Sequence, residues 1–267
     1  MNHELLTDMY EFSMANGYYL TLSHDKQARF DVFYRKAPDD SSFVISAGLK
    51  QVVDEVKNWH FSPDDIAYLK SLKHFSDDFL FYLTEAHNRC SIEALPEGTP
   101  VFPQEPFLSI TGPLMDVQLL ETLILNIINH QSLIATKAWQ ITNAADNRPV
   151  MEFGARRAQG PDAAIYGARA AIIGGCGSTS NVLAAKLFNV PAVGTMAHAW
   201  IESFPDELTA FRAWAKIYPD NAALLVDTYD VLQSGVPNAI KVFKELRAAG
   251  HEPVGIRIDS GDIAQLA

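Results

Sequence analysis

Polar side chains that could bind a ligand follow apolar segments in the second half of the chain. The apolar segments are VMEF, IIGG, PAVGT, ALLVD and PVGIRID. The polar residues that end or follow them are Arg156, Arg157, Ser178, Thr179, Thr195, His198, Asp227, Arg257 and Asp259. A planar guanidinium can hold a carboxylate through two parallel hydrogen bonds, and an aromatic face can stack on a flat ring. The pattern therefore predicts a ligand site at the ends of these segments.

From about residue 149 the apolar segments alternate with polar turns and helical segments. Repeated βα units with apolar strands predict a parallel sheet with helices outside it, and a (β/α) barrel places its site at the carboxyl ends of its strands. An open doubly wound sheet is the alternative. Closing a barrel takes eight strands in about 250 residues. We therefore expect residues 146–267 to form an incomplete, irregular (β/α) barrel, either as a fragment of a longer protein or with strands borrowed from a partner.

The first half of the chain has a different pattern, in which helices dominate. Residues 4–20 predict an amphipathic helix, and a second helix is predicted to begin after Ser62 as its N-cap. Residues 28–36 alternate like a half-buried strand. We predict an α/β fold with an N-terminal α/β domain over residues 1–145, followed by the partial barrel over residues 146–267.

Composition and charge restrict the partners. The net charge of −11 argues against a nucleic-acid-binding protein, which needs a basic surface. The two cysteines, Cys90 and Cys176, form no pairing motif, which is typical of a reducing cytoplasm. The first residues lack the basic and apolar regions of a signal peptide. The most apolar run, LLETLILNIINHQSLIA, is interrupted by Glu121 and His130, which favours a buried helix over a membrane span. We expect a cytoplasmic protein that binds neither nucleic acid nor membrane.

Five stretches resemble nicotinate phosphoribosyltransferases, in order across nearly the whole chain. They are LLTDMYEFSMANGYY, MEFGARRAQGPDAA, GSTSNVLAAKLFNVPAVGTMAHAW, LLVDTYDVLQSGVPNAI and GIRIDSGD. The resemblance implies that nicotinate and phosphoribosyl pyrophosphate give nicotinate mononucleotide and pyrophosphate in NAD biosynthesis. It also implies ATP as a co-substrate, a requirement for Mg²⁺, and a homodimer with shared active sites. Because members of that family are longer, the alternative is a non-catalytic remnant that binds nicotinate or dimerises without turnover.

The resemblance assigns roles to individual residues around nicotinate. It implies that Phe153 lies against the pyridine ring, with Arg156 at the same site. It implies that Arg257 contacts nicotinate and that Thr195 bonds the substrate carboxylate. Asp259 is implied to be catalytic, facing the ribose hydroxyls or the metal. An ion pair between Arg257 and Asp259 is compatible with these roles, because alternation along a strand puts both residues on one face.

Four further residues complete the predicted site. The resemblance implies that His198 is phosphorylated by ATP, and the added charge can reorder the site around the substrate phosphates. It implies that Tyr10 reaches into the partner subunit's pocket. Ser180 stands about where nicotinamide-using relatives have an aspartate, which would repel a carboxylate substrate. Asp227 is either an N-cap for the next helix or a candidate for the metal or phosphate site.

Two other enzyme classes are less consistent with the sequence. An aldolase-type lyase would need a Schiff-base lysine at the strand ends, but Lys186 and Lys241 fall within predicted helices. Quinolinate-using relatives would need additional cations for a second carboxylate, and the motif around His198 argues against them.

Overall fold

The structure is a computed structural model that describes residues 3–39 and 41–266. The chain packs into two compact units, Met1–Ala192 and Val193–Ala267, which are called unit 1 and unit 2. The domain boundary near residue 145 stays a prediction, because compact packing does not decide to which domain a βα unit belongs. Within the described ranges, no helix combines the length and the apolar character needed to cross a membrane.

Unit 1 begins with two small antiparallel sheets and the helices around them. The helices are α1 (Met9–Thr21), α2 (Leu49–Asn58), α3 (Pro63–Ser71), α4 (Asp77–Thr84), α5 (Leu114–Leu119) and α6 (Glu121–Ala144). The strands are β1 (Gln27–Val32), β2 (Val44–Ile45), β3 (Ser91–Ala94), β4 (Pro100–Val101) and β5 (Leu108–Pro113). Strand β5 pairs antiparallel with both β1 and β3, and β2 pairs antiparallel with β4.

The helix starts follow local sequence signals. The Ser62 hydroxyl accepts a hydrogen bond from the backbone N–H of Asp65, whose carboxylate accepts one from the Ser62 N–H. This capping box, with Pro63 at the first helical position, confirms the predicted start of α3. Helix α1 begins at Met9 rather than at residue 4, because Asp8 has an extended backbone.

One face of α6, which the sequence predicted to be a buried helix, lies in the core of unit 1, while Leu125 and Ile141 on the helix are exposed. Three of its polar residues, Gln131, Ser132 and Thr136, are buried and have hydrogen-bond partners. The Ser132 and Thr136 hydroxyls accept hydrogen bonds of 2.9 Å from the backbone N–H groups of Ala47 and Ile45. Buried polar groups need such partners. Ser132 and Thr136 therefore fasten α6 to the segment around β2.

Two βα units complete unit 1. Strand β6 (Met151–Glu152) leads through a 3₁₀ turn at Ala155–Arg157 into α7 (Pro161–Ile173), and β7 (Ser178–Thr179) leads into α8 (Val182–Phe188). The two strands pair in parallel, with Glu152 opposite Thr179.

Two of the strands predicted from the sequence do not form where they were predicted. In IIGG, the two isoleucines are the last residues of α7, which ends at Ile173 with Gly174 as its C-cap, and the strand forms later at β7. A short apolar run alone does not separate a buried helix from a buried strand. In PAVGT only Ala192 makes a ladder contact, an isolated parallel bridge to Thr179.

Unit 2 carries the remaining elements. They are α9 (His198–Glu202), α10 (Glu207–Ile217), a 3₁₀ turn (Pro219–Asn221), β8 (Ala223–Leu225), a π-helix (Val231–Gly235), α11 (Val236–Ala248), β9 (Gly255–Arg257) and α12 (Ile263–Leu266). Strands β8 and β9 pair in parallel, with Leu225 opposite Arg257. Phe211, Leu224 and Val242 lie in the core between the strands and the helices α10 and α11. The α/β class and the parallel βα units of an incomplete barrel are confirmed.

Candidate functional site

Unit 2 brings several predicted site residues into one connected group, which we call the histidine cluster. Its members are Thr195, His198, Asp227, Arg257 and Asp259. The parallel pairing of β8 and β9 accounts for much of this arrangement, because the segments that follow the two strands emerge at the same edge. Asp227, Arg257 and Asp259 therefore lie together because of the βα topology that the apolar segments predicted.

Arg257, the last residue of β9, is held from several directions. Its Nη1 donates to the Thr195 hydroxyl over 3.0 Å and to the carbonyl oxygen of Met196 over 3.2 Å. Its Nη2 forms an ion pair with the carboxylate of Asp259. Contact between Arg257 and Asp259 agrees with their predicted placement on one face. A guanidinium has five N–H donors, so donors remain for an anionic ligand.

His198 lies between two oxygen groups at the start of α9. Its Nε2 is 3.7 Å from the Asp259 carboxylate and its Nδ1 is 3.2 Å from the Thr228 hydroxyl. The side chain is 37% exposed, so the ring is oriented and still accessible. The sequence reasoning missed Thr228, although it directly follows Asp227 in the same polar turn. Asp259 contacts both Arg257 and His198 and thereby links the cation to the imidazole.

Asp227 accepts hydrogen bonds at one carboxylate oxygen and has none at the other. Its Oδ2 accepts from the Asp259 backbone N–H over 3.0 Å and from the Ser260 hydroxyl over 2.6 Å. Its Oδ1 is buried and has no partner within the part of the chain that the structure describes. Burial alone would raise the pKa of Asp227, but these hydrogen bonds and the nearby His198 hold that pKa below its usual range. Asp227 is therefore an ionised carboxylate with a free oxygen.

The N-cap alternative for Asp227 is wrong. The residue that caps the following π-helix is Asp230, whose carboxylate accepts from the backbone N–H groups of Leu232 and Gln233 over 3.0 and 2.7 Å. The two aspartates stand three positions apart in the same turn, so their roles could be distinguished only by the hydrogen bonds.

Unit 1 brings a second set of predicted residues near one another. Phe153, half-buried, and Arg156, exposed, lie in the loop after β6, and Ser180 directly follows β7. The Ser180 backbone N–H donates to the carbonyl oxygen of Glu152 over 2.9 Å, which joins the two strand ends. Within residues 3–39 and 41–266, the guanidinium groups of Arg156 and Arg157 make no hydrogen bond or ion pair. Both cations are therefore available to an anion.

The end of β6 borders a cleft in unit 1. The cleft has a volume of about 790 Å³ and lies along α6 and α7, with Glu152, Arg157 and Gln159 on one side and His130 and Tyr166 among its other borders. Sequence reasoning did not single out Glu152, because it lies within the apolar segment VMEF and its partners come from β7.

Tyr10 lies on α1 and is 46% exposed. Its hydroxyl donates to the Glu121 carboxylate over 3.0 Å. Burial and this carboxylate raise the pKa of Tyr10 to about 12, so it is a neutral phenol near pH 7. No hydrogen bond or ring contact in the described part of the chain joins Tyr10 to Phe153, Arg156 or Ser180. The structure does not bring Tyr10 together with the other predicted residues of unit 1.

Two family models match the chain. A model of the nicotinate phosphoribosyltransferase N-terminal domain matches residues 5–129, and a model of the nicotinate phosphoribosyltransferase family matches residues 149–267. The chain belongs to the nicotinate phosphoribosyltransferase family. The second match contains the histidine cluster together with Phe153, Arg156 and Ser180, and the first contains Tyr10.

Individual relatives agree with the family. The chain is 43% identical over 263 residues to a nicotinate phosphoribosyltransferase of Bacillus subtilis, covering 98% of this chain and 53% of that protein. The crystal structure of human nicotinic acid phosphoribosyltransferase matches with a TM-score of 0.88 and 33% identity, covering 97% of this chain and 62% of that one. A nicotinate-nucleotide pyrophosphorylase from Pyrococcus furiosus matches with a TM-score of 0.78 and 26% identity, covering 97% and 58%. The chain therefore spans about half the length of the curated relatives it matches.

The carboxylates of unit 2 fit the Mg²⁺ that the family resemblance implies. No group of three or more His, Cys, Asp or Glu side chains within the described ranges is placed to hold a metal ion. Mg²⁺, however, is usually held by one or two carboxylates together with water and substrate phosphates. Asp227, with its unpartnered buried Oδ1, and Asp259 supply two such carboxylates.

Proposed function

We propose that this chain carries catalytic residues of a nicotinate phosphoribosyltransferase that acts in cytoplasmic NAD biosynthesis. The enzyme would join nicotinate to phosphoribosyl pyrophosphate and release nicotinate mononucleotide and pyrophosphate. The observation that carries the proposal is the contact chain from Thr195 through Arg257 and Asp259 to His198, found in a chain of this family. It combines a cation for a carboxylate substrate with an accessible histidine.

The reaction breaks the bond between the anomeric carbon and pyrophosphate through an oxocarbenium-like transition state. Positioning and electrostatic stabilisation therefore carry most of the catalysis. Arg257 and Thr195 would hold the nicotinate carboxylate, and Asp259 would face the ribose hydroxyls, where its charge favours the developing cation. In unit 1, Arg156 would bind the same class of anion and Phe153 would stack on the pyridine.

ATP hydrolysis would act through His198. The γ-phosphoryl group passes to a ring nitrogen, ADP leaves, and water later releases phosphate from the phosphohistidine. A phosphoryl group beside Arg257 and Asp259 adds negative charge that attracts the first and repels the second. Asp259 is shared between Arg257 and His198, so this charge would change the contacts of the nicotinate-binding cation.

Mg²⁺ would be held by Asp227 and Asp259, and when bound it would neutralise the charge of the pyrophosphate leaving group. The hydrogen bonds from the Ser260 hydroxyl and the Asp259 N–H to Asp227 Oδ2 orient that carboxylate. They leave Oδ1 without a competing donor.

Specificity and assembly are further parts of the proposal. Ser180 would leave room for a carboxylate where an aspartate would repel it, so Ser180→Asp should weaken nicotinate binding; unchanged binding would contradict this assignment.

The protein would be a homodimer in which Tyr10 reaches the partner's pocket. Its exposure on α1, beside the exposed Met9 and Met14, supports that role.

The test is formation of nicotinate mononucleotide by the 267-residue chain with and without ATP. We expect His198→Asn to abolish the stimulation by ATP and to leave weak ATP-independent transfer. His251→Asn is the matched control, because His251 pairs with an exposed aspartate, Asp220, over 2.7 Å and has no proposed role. Full ATP coupling in His198→Asn would refute the phosphohistidine. Nicotinate binding without product would favour the non-catalytic alternative.

A further inference from the structure

We propose that Glu152 and Thr179 are positioning residues that hold the loop carrying Phe153 and Arg156 against Ser180. The inference rests on the proposed function for its catalytic meaning, because these three residues are proposed to contact nicotinate. Neither Glu152 nor Thr179 is proposed to touch the substrate. Their effect would be exerted through the loop that follows β6.

Glu152 makes hydrogen bonds at the ends of both β6 and β7. Its Oε2 accepts from the Thr179 hydroxyl over 2.5 Å, and its Oε1 accepts from the backbone N–H of Gly154. Its backbone carbonyl oxygen accepts from the Ser180 N–H over 2.9 Å. One residue therefore holds the first turn of the loop with its side chain and the residue after β7 with its backbone.

Gly154 allows the carboxylate to approach the loop backbone. A Cβ on Gly154 would lie 2.9 Å from Glu152 Oε1, closer than ordinary packing permits. A side chain at this position would displace either the carboxylate or the loop. The lack of a side chain at Gly154 therefore allows the hydrogen bond between its backbone N–H and the Glu152 carboxylate.

The Thr179 hydroxyl is bonded on both sides. It donates to Glu152 and accepts from the backbone N–H of Asn181 over 3.0 Å, while the Thr179 side chain is fully buried. The Asn181 side chain in turn caps α8 and donates to the carbonyl oxygen of Ala164 in α7. Ser180 is thus flanked by two residues whose side chains are fixed, which would fix its own position relative to the loop.

The test exploits the two arginines of the loop, which are cleavage sites for trypsin. Thr179→Val keeps the shape of the side chain but removes the hydroxyl, and Thr179→Ser keeps the hydroxyl. A hydrogen bond to a charged group contributes enough that its loss should raise the population of the open loop about tenfold. When the loop opens and closes faster than trypsin cleaves it, the cleavage rate is proportional to the population of the open loop. We expect cleavage after Arg156 and Arg157 to accelerate about tenfold in Thr179→Val and to stay within about twofold of the parent in Thr179→Ser.

Cleavage after Lys73, an exposed residue in the turn between α3 and α4, is the internal reference. It should be unchanged in each variant. Equal loop cleavage in Thr179→Val and the parent would overturn the proposal, as would a Thr179→Ser variant that behaves like Thr179→Val. A uniform rise at both sites would mean global destabilisation and would also overturn it. If Thr179→Val does not fold, Glu152→Gln makes the same test by replacing the carboxylate with a neutral amide.

A kinetic measurement separates this proposal from the proposed function. In the active enzyme, Thr179→Val should raise the KM for nicotinate about tenfold, while the KM for phosphoribosyl pyrophosphate stays within about twofold, because only the nicotinate-binding loop is released. Equal changes in both constants would contradict a positioning role. A parent chain without transferase activity would refute the proposed function alone, since the proteolysis result still decides whether Glu152 and Thr179 hold the loop.

Discussion

The ion pair between Glu97 and Arg169 in unit 1 should be costly to break. Two parallel hydrogen bonds of 2.8 and 2.6 Å join the guanidinium to the carboxylate, and the side chains are only 20% and 15% exposed. Glu97 also accepts from the Gly48 backbone N–H over 2.7 Å, and Arg169 donates to Gln131 over 3.1 Å. The pair therefore fastens α7, which follows the Phe153 loop, to α6 and to the start of α2.

Replacing Glu97 by Gln keeps the shape of the side chain and leaves the Arg169 charge buried without its counter-ion. Removing one partner of a buried pair costs about 3–5 kcal/mol. Because this pair retains some exposure, we expect a loss of about 3 kcal/mol of unfolding free energy in unit 1. Hydrogen exchange at amides of α6 and α7 measures that quantity, and their protection should fall roughly a hundredfold, since each 1.4 kcal/mol is a factor of ten.

The control is Asp54→Asn, which breaks an exposed pair of the same unit. Asp54 and Lys50 are 2.8 Å apart on α2, with side chains 56% and 66% exposed, and such pairs contribute little. If Glu97→Gln lost less than about 1 kcal/mol, or no more than Asp54→Asn, the argument from burial would be refuted.

The same ion pair predicts how the contribution of Glu97 to stability changes with pH. Burial alone would raise the pKa of Glu97, but the Arg169 guanidinium beside it holds that pKa below its usual range. A carboxylate with a lowered pKa stabilises the fold fully above the unfolded-state pKa of about 4.3, and this contribution is lost as the pH falls through the folded-state pKa. The difference in unfolding free energy between the parent and Glu97→Gln, measured by urea unfolding, should therefore be constant near pH 7 and become smaller in acid.

Three further predictions concern other parts of the chain. Gly235→Ala should destabilise unit 2 by about 1–3 kcal/mol, because a Cβ at this position would lie 2.8 Å from the Val226 carbonyl carbon. Hydrogen exchange in α11 measures this loss. Gly194→Ala is the control and should cost much less, because a Cβ there would meet nothing within 4 Å. Burial raises the pKa of Glu11, so its ionisation should lower stability as the pH rises above about 4.3, and Glu11→Gln should remove that slope in urea unfolding. Burial raises the pKa of Cys90 to about 12, so iodoacetamide should label it at least a hundredfold more slowly in the native protein than in urea.

The sequence predicted elements well where a local signal and the hydrophobic period agreed. Helix α3 began where Ser62 and Pro63 predicted, and the apolar strands β8 and β9 formed within ALLVD and PVGIRID. The segment IIGG was misassigned because its isoleucines continue the apolar face of α7, and four residues carry too little periodicity to distinguish helix from strand. The start of α1 shifted because amphipathic spacing alone does not locate a helix end.

The members of the histidine cluster were easier to predict from the sequence than the residues they contact. Polar residues after the apolar segments indicated Thr195, Arg257 and Asp259. The parallel pairing of β8 and β9 explains why Arg257 and Asp259 lie in the cluster, whereas Thr195 follows PAVGT, where only an isolated bridge forms. Thr228 and Glu152 were missed because their partners are far away in sequence. The residues that orient a site are thus recognisable mainly after the strands are paired.

The ion pair between Arg257 and Asp259 has contacts beyond the end of β9. A salt bridge that only capped β9 would need no third residue, but the second oxygen of Asp259 lies 3.7 Å from His198 Nε2. The pairing with Arg257 is what places a carboxylate beside the imidazole. Conversely, Arg257 is bonded to Thr195 as well as to Asp259, so its guanidinium plane has a defined orientation. The ion pair is therefore part of the geometry of the cluster, and any change in charge at His198 acts first on the carboxylate that Arg257 also contacts.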